Sequence, residues 1–240
     1  MDKWLEQQAR ASGVELDAAA LQRFADYCRL LQEWNRKINL TTVIETAAVY
    51  ENHFLDSLSV GLAGDLSRRQ RLIDVGSGAG FPGLALAIAY PRLEVTLLES
   101  VAKKARFLQV AAESLGLSER VTVICARAEE AARQGSQRER YDWVVSRGVA
   151  RLDILAEYCL PFLKIGGCFV AQKGPKAESE VDLAAAAIGT LGGQLEQVRH
   201  WELPGGAQRT LVVVRKVQAT PSGYPRRTGV PAKRPLGDQR

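Results

Sequence analysis

Four glycines crowd into Gly76-Ser77-Gly78-Ala79-Gly80-Phe81-Pro82-Gly83, directly after the apolar run Leu72-Ile73-Asp74-Val75. A strand that breaks into Gly-x-Gly-x-Gly turns without Cβ obstruction and brings backbone N–H groups up to a ligand at its carboxyl end. Pro82 suits the first turn of a following helix. Gly78 to Gly83 also fits the G-x-G-x-x-G pattern of dinucleotide folds, so the glycines alone leave two cofactors open. Asp74 separates them: a carboxylate ahead of the glycines repels a pyrophosphate and favours a ligand carrying an ammonium and a sulfonium, which is S-adenosylmethionine. Glu99 closes the next apolar run, Leu93-Glu94-Val95-Thr96-Leu97-Leu98-Glu99, where an acidic side chain accepts the ribose hydroxyls of either cofactor. The plainer reading is that Asp74 caps a turn and Glu99 is a solvated strand end.

Such a loop needs a parallel sheet beneath it. From Arg71 onward the pattern alternates strand and helix, as in a doubly wound sheet. Strands are expected near 71–75, 93–99, 120–125, 141–146 and 166–172, then a pair near 193–200 and 209–217. Helices are expected near 82–90, 101–115, 128–133, 151–163 and 177–191. In 101–115, Val101, Ala105, Leu108, Ala112 and Leu115 make one apolar stripe, with Lys103, Lys104 and Arg106 on a solvated face. A dinucleotide enzyme would repeat a second mononucleotide half. This chain instead ends its sheet on Leu211-Val212-Val213-Val214 after a Gly-rich turn, as an antiparallel hairpin does, which favours a methyltransferase. The expected class is α/β, a Rossmann-like class I methyltransferase with a seven-stranded sheet and an N-terminal helical extension. Its expected divisions are a helical cap over 1–66, the methyltransferase domain over 67–217 and a basic, Pro-rich arm over 218–240.

Upstream of the sheet, Leu21, Phe24, Cys28 and Leu31 recur at helical spacing, with Asp17 placed to cap their helix. Trp34 to Thr42 then reads as a polar, basic turn and His53 to Val60 as a further helical segment. Asn39 in that turn either meets a base edge or closes an Asx turn. Ala128-Glu129-Glu130 follows the third strand, where it meets an adenine or simply opens a helix. Arg147 ends the fourth strand, a usual place for catalytic residues in such sheets. Lys173, at the end of the fifth, is a cation for phosphate or a solvated turn residue.

A chain of 240 residues, 46% hydrophobic and 25% charged, holds one substantial core with a smaller appended element. No apolar run approaches the ~20 residues of a membrane span. Met1-Asp2-Lys3-Trp4 opens no secretory pattern, so a cytoplasmic location is expected; a monomer is expected too, though no residue pattern bears on oligomeric state. Cys28, Cys125, Cys159 and Cys168 stand singly among apolar residues, which reads as reduced core residues and no metal. Much of the net charge of +5 sits in residues 218–240, where Arg226, Arg227, Lys233, Arg234 and Arg240 face only Asp238. Such an arm suits RNA phosphates, the alternative being a strap over the domain.

Several stretches together carry a resemblance. They are Trp34-Asn35 with Asn39-Leu40-Thr41, His53 with Asp56-Ser57-Leu58, Asp74 through Gly83, Lys103-Lys104 with Phe107-Leu108, Ser146-Arg147, Gln172-Lys173-Gly174, and Tyr224-Pro225-Arg226-Arg227 with Gly229, Pro231, Ala232 and Lys233. Over nearly the whole chain they resemble RsmG, also called GidB, a family of bacterial 16S ribosomal RNA methyltransferases that modify N7 of one guanosine in the decoding region of the small subunit. The resemblance implies 16S rRNA or the small ribosomal subunit as partner. It also implies S-adenosylmethionine contacts at Gly76, Phe81, Ala128, Glu129 and Arg147, with Glu99 at the ribose. Asp74 and Gly78 join that set from the loop pattern, and Asn39, Arg147 and Lys173 are the candidates for positioning substrate. Gly148 departs from the family, which often has alanine there. No general base is expected, because guanine N7 has a free lone pair and no proton to lose.

Overall fold

The computed structural model describes residues 1–175 and 177–237. Two N-terminal helices, α1 (Asp2–Ala11) and α2 (Ala18–Asn35), precede α3 (Thr46–Val49), a π-helical stretch Tyr50–Leu55, α4 (Asp56–Leu58) and a 3₁₀ turn Ser59–Ala63. The sheet region follows as β1 (Gln70–Val75), α5 (Gly83–Ala89), β2 (Leu93–Glu99), α6 (Ala102–Ser114), β3 (Val121–Cys125), α7 (Ala128–Ala131), β4 (Tyr141–Arg147) and α8 (Leu152–Cys159). A 3₁₀ turn Leu160–Phe162, β5 (Leu163–Lys173), α9 (Glu178–Thr190), β6 (Gly193–Glu202), β7 (Gln208–Lys216) and α10 (Val230–Lys233) complete it.

The seven strands run in the order β3-β2-β1-β4-β5-β7-β6. β1 to β5 pair in parallel, while β7 runs antiparallel to both β5 and β6. The expected α/β class and closing hairpin are therefore present. The order reverses at β1, whose carboxyl end lies between β2 and β4, the switch point where open sheets of this kind bind ligands.

Each face of the sheet has its own core. One cluster joins β-strand residues such as Leu72, Val95 and Val145 to α5, α6 and the N-terminal helices, and the other joins Ile73, Val144 and Phe169 to α8 and α9. The N-terminal helices are thus part of a main core. Asp17 caps α2 by accepting from Ala20 N–H at 2.7 Å, as expected. Phe24, Tyr27, Cys28 and Leu31 are buried at helical spacing, while Leu21 is only half-buried. Tyr27 crosses to the glycine loop: its ring stacks on Phe81 at 5.3 Å and its hydroxyl donates to the Ala79 carbonyl.

Some boundaries differ from expectation for local reasons. The helix expected to reach 163 ends at Cys159, because Pro161 offers no N–H to continue the ladder and the chain tightens into a 3₁₀ turn. β5 begins at Leu163, and its register slips between Tyr141↔Leu163 and Trp143↔Cys168, pushing Lys164, Ile165 and Gly166 outward. Val101 is the exposed N-terminal flank of α6 and no part of its apolar stripe. Cys28, Cys159 and Cys168 are buried free thiols, whereas Cys125 is exposed at the end of β3. No described helix is long and apolar enough to cross a membrane.

Candidate functional site

At the carboxyl ends of β1, β2 and β4 lies a cavity of ≈320 Å³. Gly76, Ser77, Gly78, Ala79 and Phe81 form its floor; Glu99, Ser100 and Lys104 line one side, Leu40, Thr41 and His53 the other, and Arg147, Gly148 and Val149 close an end. A smaller cavity of ≈80 Å³ continues from it through the shared Gly76, Ser100 and Val149 to Ala128, Glu129 and Tyr158. A third, of ≈500 Å³, lies beyond His53, Arg147 and Gly148, with Asn52, Asp56, Gln172, Lys173 and Arg209 on its walls. Another cavity, of ≈630 Å³, sits at the opposite end of the sheet among Arg69, Arg71, Arg92 and Arg120. It is the larger, but ligands in such folds bind at the strands' carboxyl ends, so the glycine-loop cleft is the candidate site.

The loop owes its shape to two carboxylates. Glu99 accepts from Gly78 N–H at 2.9 Å and from Val101 N–H at 2.7 Å, drawing the loop toward the end of β2. Asp74 accepts from Gly83 N–H at 2.9 Å, and Ser77 Oγ donates to the Asp74 carbonyl at 2.9 Å. Gly78 takes φ 58°, and a Cβ there would meet only Gly76 O, at 3.9 Å, so bare backbone faces open cleft as close approach of a ligand requires. This cradle, with a carboxylate at the next strand end and an elongated cleft, fits an adenosyl ligand.

Asp74 is fully buried beneath Gly83 and is not among the residues lining the cavity; it holds the loop through the Gly83 N–H. Its Oδ1 has no partner among the described residues, and burial pushes its pKa up to about 7.

Asn39 sits on the surface of its turn. It is exposed and lines neither the cleft nor the third cavity. Asn35 organises the turn instead, its Oδ1 accepting from Leu40 N–H at 2.8 Å and Thr41 N–H at 2.9 Å. Thr41 Oγ1 is thereby set 2.9 Å from His53 Nε2. His53 Nδ1 lies 3.0 Å from Asn52 O and 3.3 Å from Arg147 Nη2, and the Thr41 hydroxyl can answer Nε2 as donor or as acceptor. Burial, and next the Arg147 charge, press the His53 pKa down to about 4. The ring stacks on Phe81 at 4.5 Å.

Arg147 stands where the cleft meets the third cavity. Its guanidinium donates to Asp56 Oδ2 at 2.8 Å and to Asn52 O at 3.1 Å, and lies 5.1 Å over the Phe81 ring. Arg209 reaches the other oxygen of Asp56 at 3.3 Å. Asp56, Asn52 and Arg209 were not singled out for this role by sequence, which offers no local signal for it. Gly148 leaves Arg147 firmly held through these contacts. Lys173 lines the third cavity, but its ammonium donates to Ala150 O at 2.6 Å and Glu180 Oε2 at 2.7 Å, so its charge is already answered within the chain. Lys104, assigned by sequence to a solvated face, is half-buried on the cleft wall.

Gly76, Gly78, Phe81, Glu99 and Arg147 all line the cleft, and Ala128 and Glu129 line its smaller extension. Residues 218–237 lie folded against α7 and α8, with Arg226 ion-paired to Glu157 and Gly229 N–H on Glu129, so the segment is laid down as a strap and does not project as an arm. Arg227, Lys233 and Arg234 are exposed on it, while Asp238 and Arg240 lie outside the described residues.

A family profile described as GidB, rRNA small subunit methyltransferase G, matches residues 20–212. The chain is 49% identical over 229 residues to the ribosomal RNA small subunit methyltransferase G of Roseiflexus castenholzii, covering 95% of this chain and 97% of the relative. It is 47% identical over 233 residues to the protein of that name from Pelotomaculum thermopropionicum, covering 97% of each. Among solved structures, a predicted O-methyltransferase from Agrobacterium tumefaciens superposes with a TM-score of 0.53 at 26% identity, over 70% of this chain and 81% of that one. By the extent of these matches and by its own glycine-loop cleft, the chain belongs to the GidB family of rRNA small subunit methyltransferases.

Proposed function

We propose that this protein transfers a methyl group from S-adenosylmethionine to N7 of a guanosine in the decoding region of 16S rRNA. The observation that carries the reading is the adjacency of two cavities across one wall, His53 and Arg147: a glycine-floored cleft at the switch point and a roomier polar cavity beside it. The methyltransferase family implies the cofactor, and the donor set suits it. Gly76 and Gly78 offer backbone, Glu99 a carboxylate for the ribose, Ala128 and Glu129 the adenine end, and Phe81 with Arg147 the methionyl end. The bound cofactor supplies an electrophilic methyl on a sulfonium.

The third cavity receives the base. Guanine N7 attacks through a free lone pair, so the residues here need to align and stabilise without removing a proton. A bare cation against N7 would oppose the positive charge that builds on the purine. Asp56 meets that requirement by compensating Arg147, whose remaining donors are free to orient a carboxylate or an RNA phosphate. His53, neutral at physiological pH, holds Thr41 and Phe81 in the cleft wall. Lys173 braces Glu180 under the third cavity, and Asn39 is left as an exposed contact for RNA. The exposed Arg227, Lys233 and Arg234 supply phosphate contacts. We place the protein in the cytoplasm, acting as a monomer.

The test is incubation with small subunits that lack the modification and cofactor labelled in its methyl group. Chain scission specific to N7-methylguanosine should map the label to one guanosine of 16S rRNA. Label on a ribose or another base atom, or NAD binding in place of the adenosyl ligand, would overturn the reading.

A further inference from the structure

The strap holds both walls of the smaller cavity. Its anchor is Arg226, whose backbone N–H and Nε donate to Glu157 Oε1 at 2.7 and 2.9 Å while Nη2 donates to Oε2 at 2.6 Å. Glu157, on α8, is 1% exposed and immediately precedes Tyr158, which lines the cavity. Before the anchor, Arg133 donates to Pro225 O and Arg138 to Tyr224 O, both at 2.7 Å. Beyond it, Thr228 Oγ1 donates to Glu130 Oε1 at 3.1 Å and Gly229 N–H to Glu129 Oε1 at 2.9 Å.

That last contact reaches into the candidate site. Glu129 is 4% exposed and sits in α7, a helix of only four residues. One turn of helix has too few internal hydrogen bonds to hold its own shape, so its orientation depends on what it packs against. A buried carboxylate also needs donors, and the Gly229 N–H is one supplied by the strap. In the same segment Arg227, Lys233 and Arg234 are exposed to solvent.

We propose that residues 226–234 position the adenine end of the cofactor cleft through the Gly229–Glu129 hydrogen bond, and so couple RNA held by the strap's exposed cations to affinity for the cofactor. This rests on reading the smaller cavity as the adenine site. RNA bound to the exposed cations stabilises the seated strap and with it the Gly229–Glu129 contact, and by linkage the cofactor strengthens RNA binding by the same factor. Gly229 and Arg226 are positioning residues and touch neither substrate.

The full-length chain carrying Gly229→Val is the primary test. Gly229 has φ 81° with open space around its missing Cβ, so a β-branched residue is penalised by backbone conformation alone and relaxes by moving its N–H off Glu129. Calorimetry with S-adenosylhomocysteine should show affinity at least five-fold weaker. KM for the methyl donor should rise in step, while kcat at saturating donor stays within two-fold, a split that general loss of stability would not produce. In wild type, an RNA fragment carrying the target guanosine should tighten S-adenosylhomocysteine binding several-fold, and in the variant this tightening should be lost.

A chain ending after Arg226 keeps the Glu157 anchor and should reproduce the loss. Arg227→Gln with Lys233→Gln and Arg234→Gln should leave affinity for S-adenosylhomocysteine without RNA within two-fold of wild type. Wild-type affinity in both Gly229→Val and the shortened chain would overturn the inference while leaving the cofactor reading intact. A wild-type protein that binds no adenosyl ligand would overturn both.

Discussion

Arg147 and Asp56, 91 positions apart in the chain, meet at 2.8 Å on the wall between the glycine-loop cleft and the cavity beside it. The carboxylate is 4% exposed and serves a second guanidinium, Arg209, at 3.3 Å. Two cations are thereby held around one anion without burying any of the three unpaired. Asp56→Ala should cost about 1–3 kcal/mol in stability by removing a charge-assisted hydrogen bond from the half-buried Arg147, which keeps Asn52 O and its His53 contact. Asp56→Asn, which keeps the shape, should fold and lose at least ten-fold in single-turnover methylation. A rate for Asp56→Asn within two-fold of wild type would show that the pair is purely structural.

Asp74 should act on stability with a pH signature. Its pKa, raised to about 7 by burial, means that the folded state binds its proton more tightly than the unfolded one. Its contribution is complete below the ordinary carboxylate value and is lost as pH rises through about 7. Asp74→Asn keeps an oxygen for Gly83 N–H and carries no charge, so its Tm relative to wild type should improve by about 4 °C or more between pH 5 and 8.5. Thermal unfolding across that range is the measurement, and a pH-independent gap would contradict it. Asp74→Ala removes the acceptor outright and should destabilise by about 1–3 kcal/mol at pH 5, a deficit that shrinks toward pH 8.5 because this variant carries no buried charge either.

The chemical step should be nearly flat from pH 6 to 9. His53, with its pKa near 4, stays neutral over that whole interval, and N7 has no proton to surrender. His53→Gln should keep at least a third of the single-turnover rate at saturating cofactor and RNA. A slope of one decade per pH unit that vanishes in this variant would establish a required base. Below pH 6.5 the sign is fixed by the depressed pKa: the unfolded state takes up the proton first, so stability falls as pH drops toward 4, and less steeply in the variant.

Glu99 carries two duties. It holds Gly78 and Val101 by their N–H groups and stands at the cleft wall where a ribose would lie. Glu99→Ala should weaken S-adenosylhomocysteine binding by more than ten-fold in calorimetry, and Glu99→Gln, which retains one acceptor oxygen, by less. Equal affinity in all three proteins would remove Glu99 from the site.

The exposed cations of the strap should appear in the salt dependence of RNA binding. Replacing Arg227, Lys233 and Arg234 by Gln should reduce the slope of log K against log salt by roughly 0.7–0.9 for each phosphate that is no longer neutralised. An unchanged slope would remove these three cations from the RNA interface.

Period and turn chemistry are local properties, and they make the architecture legible in the chain itself. The glycine loop after β1, the alternation of strand with helix and the closing hairpin of β6 and β7 all follow from residues within a few positions of one another. The cleft floor, Gly76 to Phe81, and its carboxylate Glu99 were legible for the same reason. What tertiary structure decided is which charges meet. Asp74 and Glu99 look alike as acidic strand ends, yet the close approach of Gly83 buries the first while the second faces the cleft. Lys173 reads as a free cation until α9 brings Glu180 to it, and Asn35 displaces Asn39 as the turn's acceptor because the chain doubles back on the end of α2. The strap shows the same rule over the longest span: Gly229 reaches Glu129 across 100 positions because the strand order β3-β2-β1-β4-β5-β7-β6 leaves α7 and α8 on the face where the chain returns. Partners separated so far in sequence leave no period or spacing to read, since their pairing is set by how the strands are ordered and stacked.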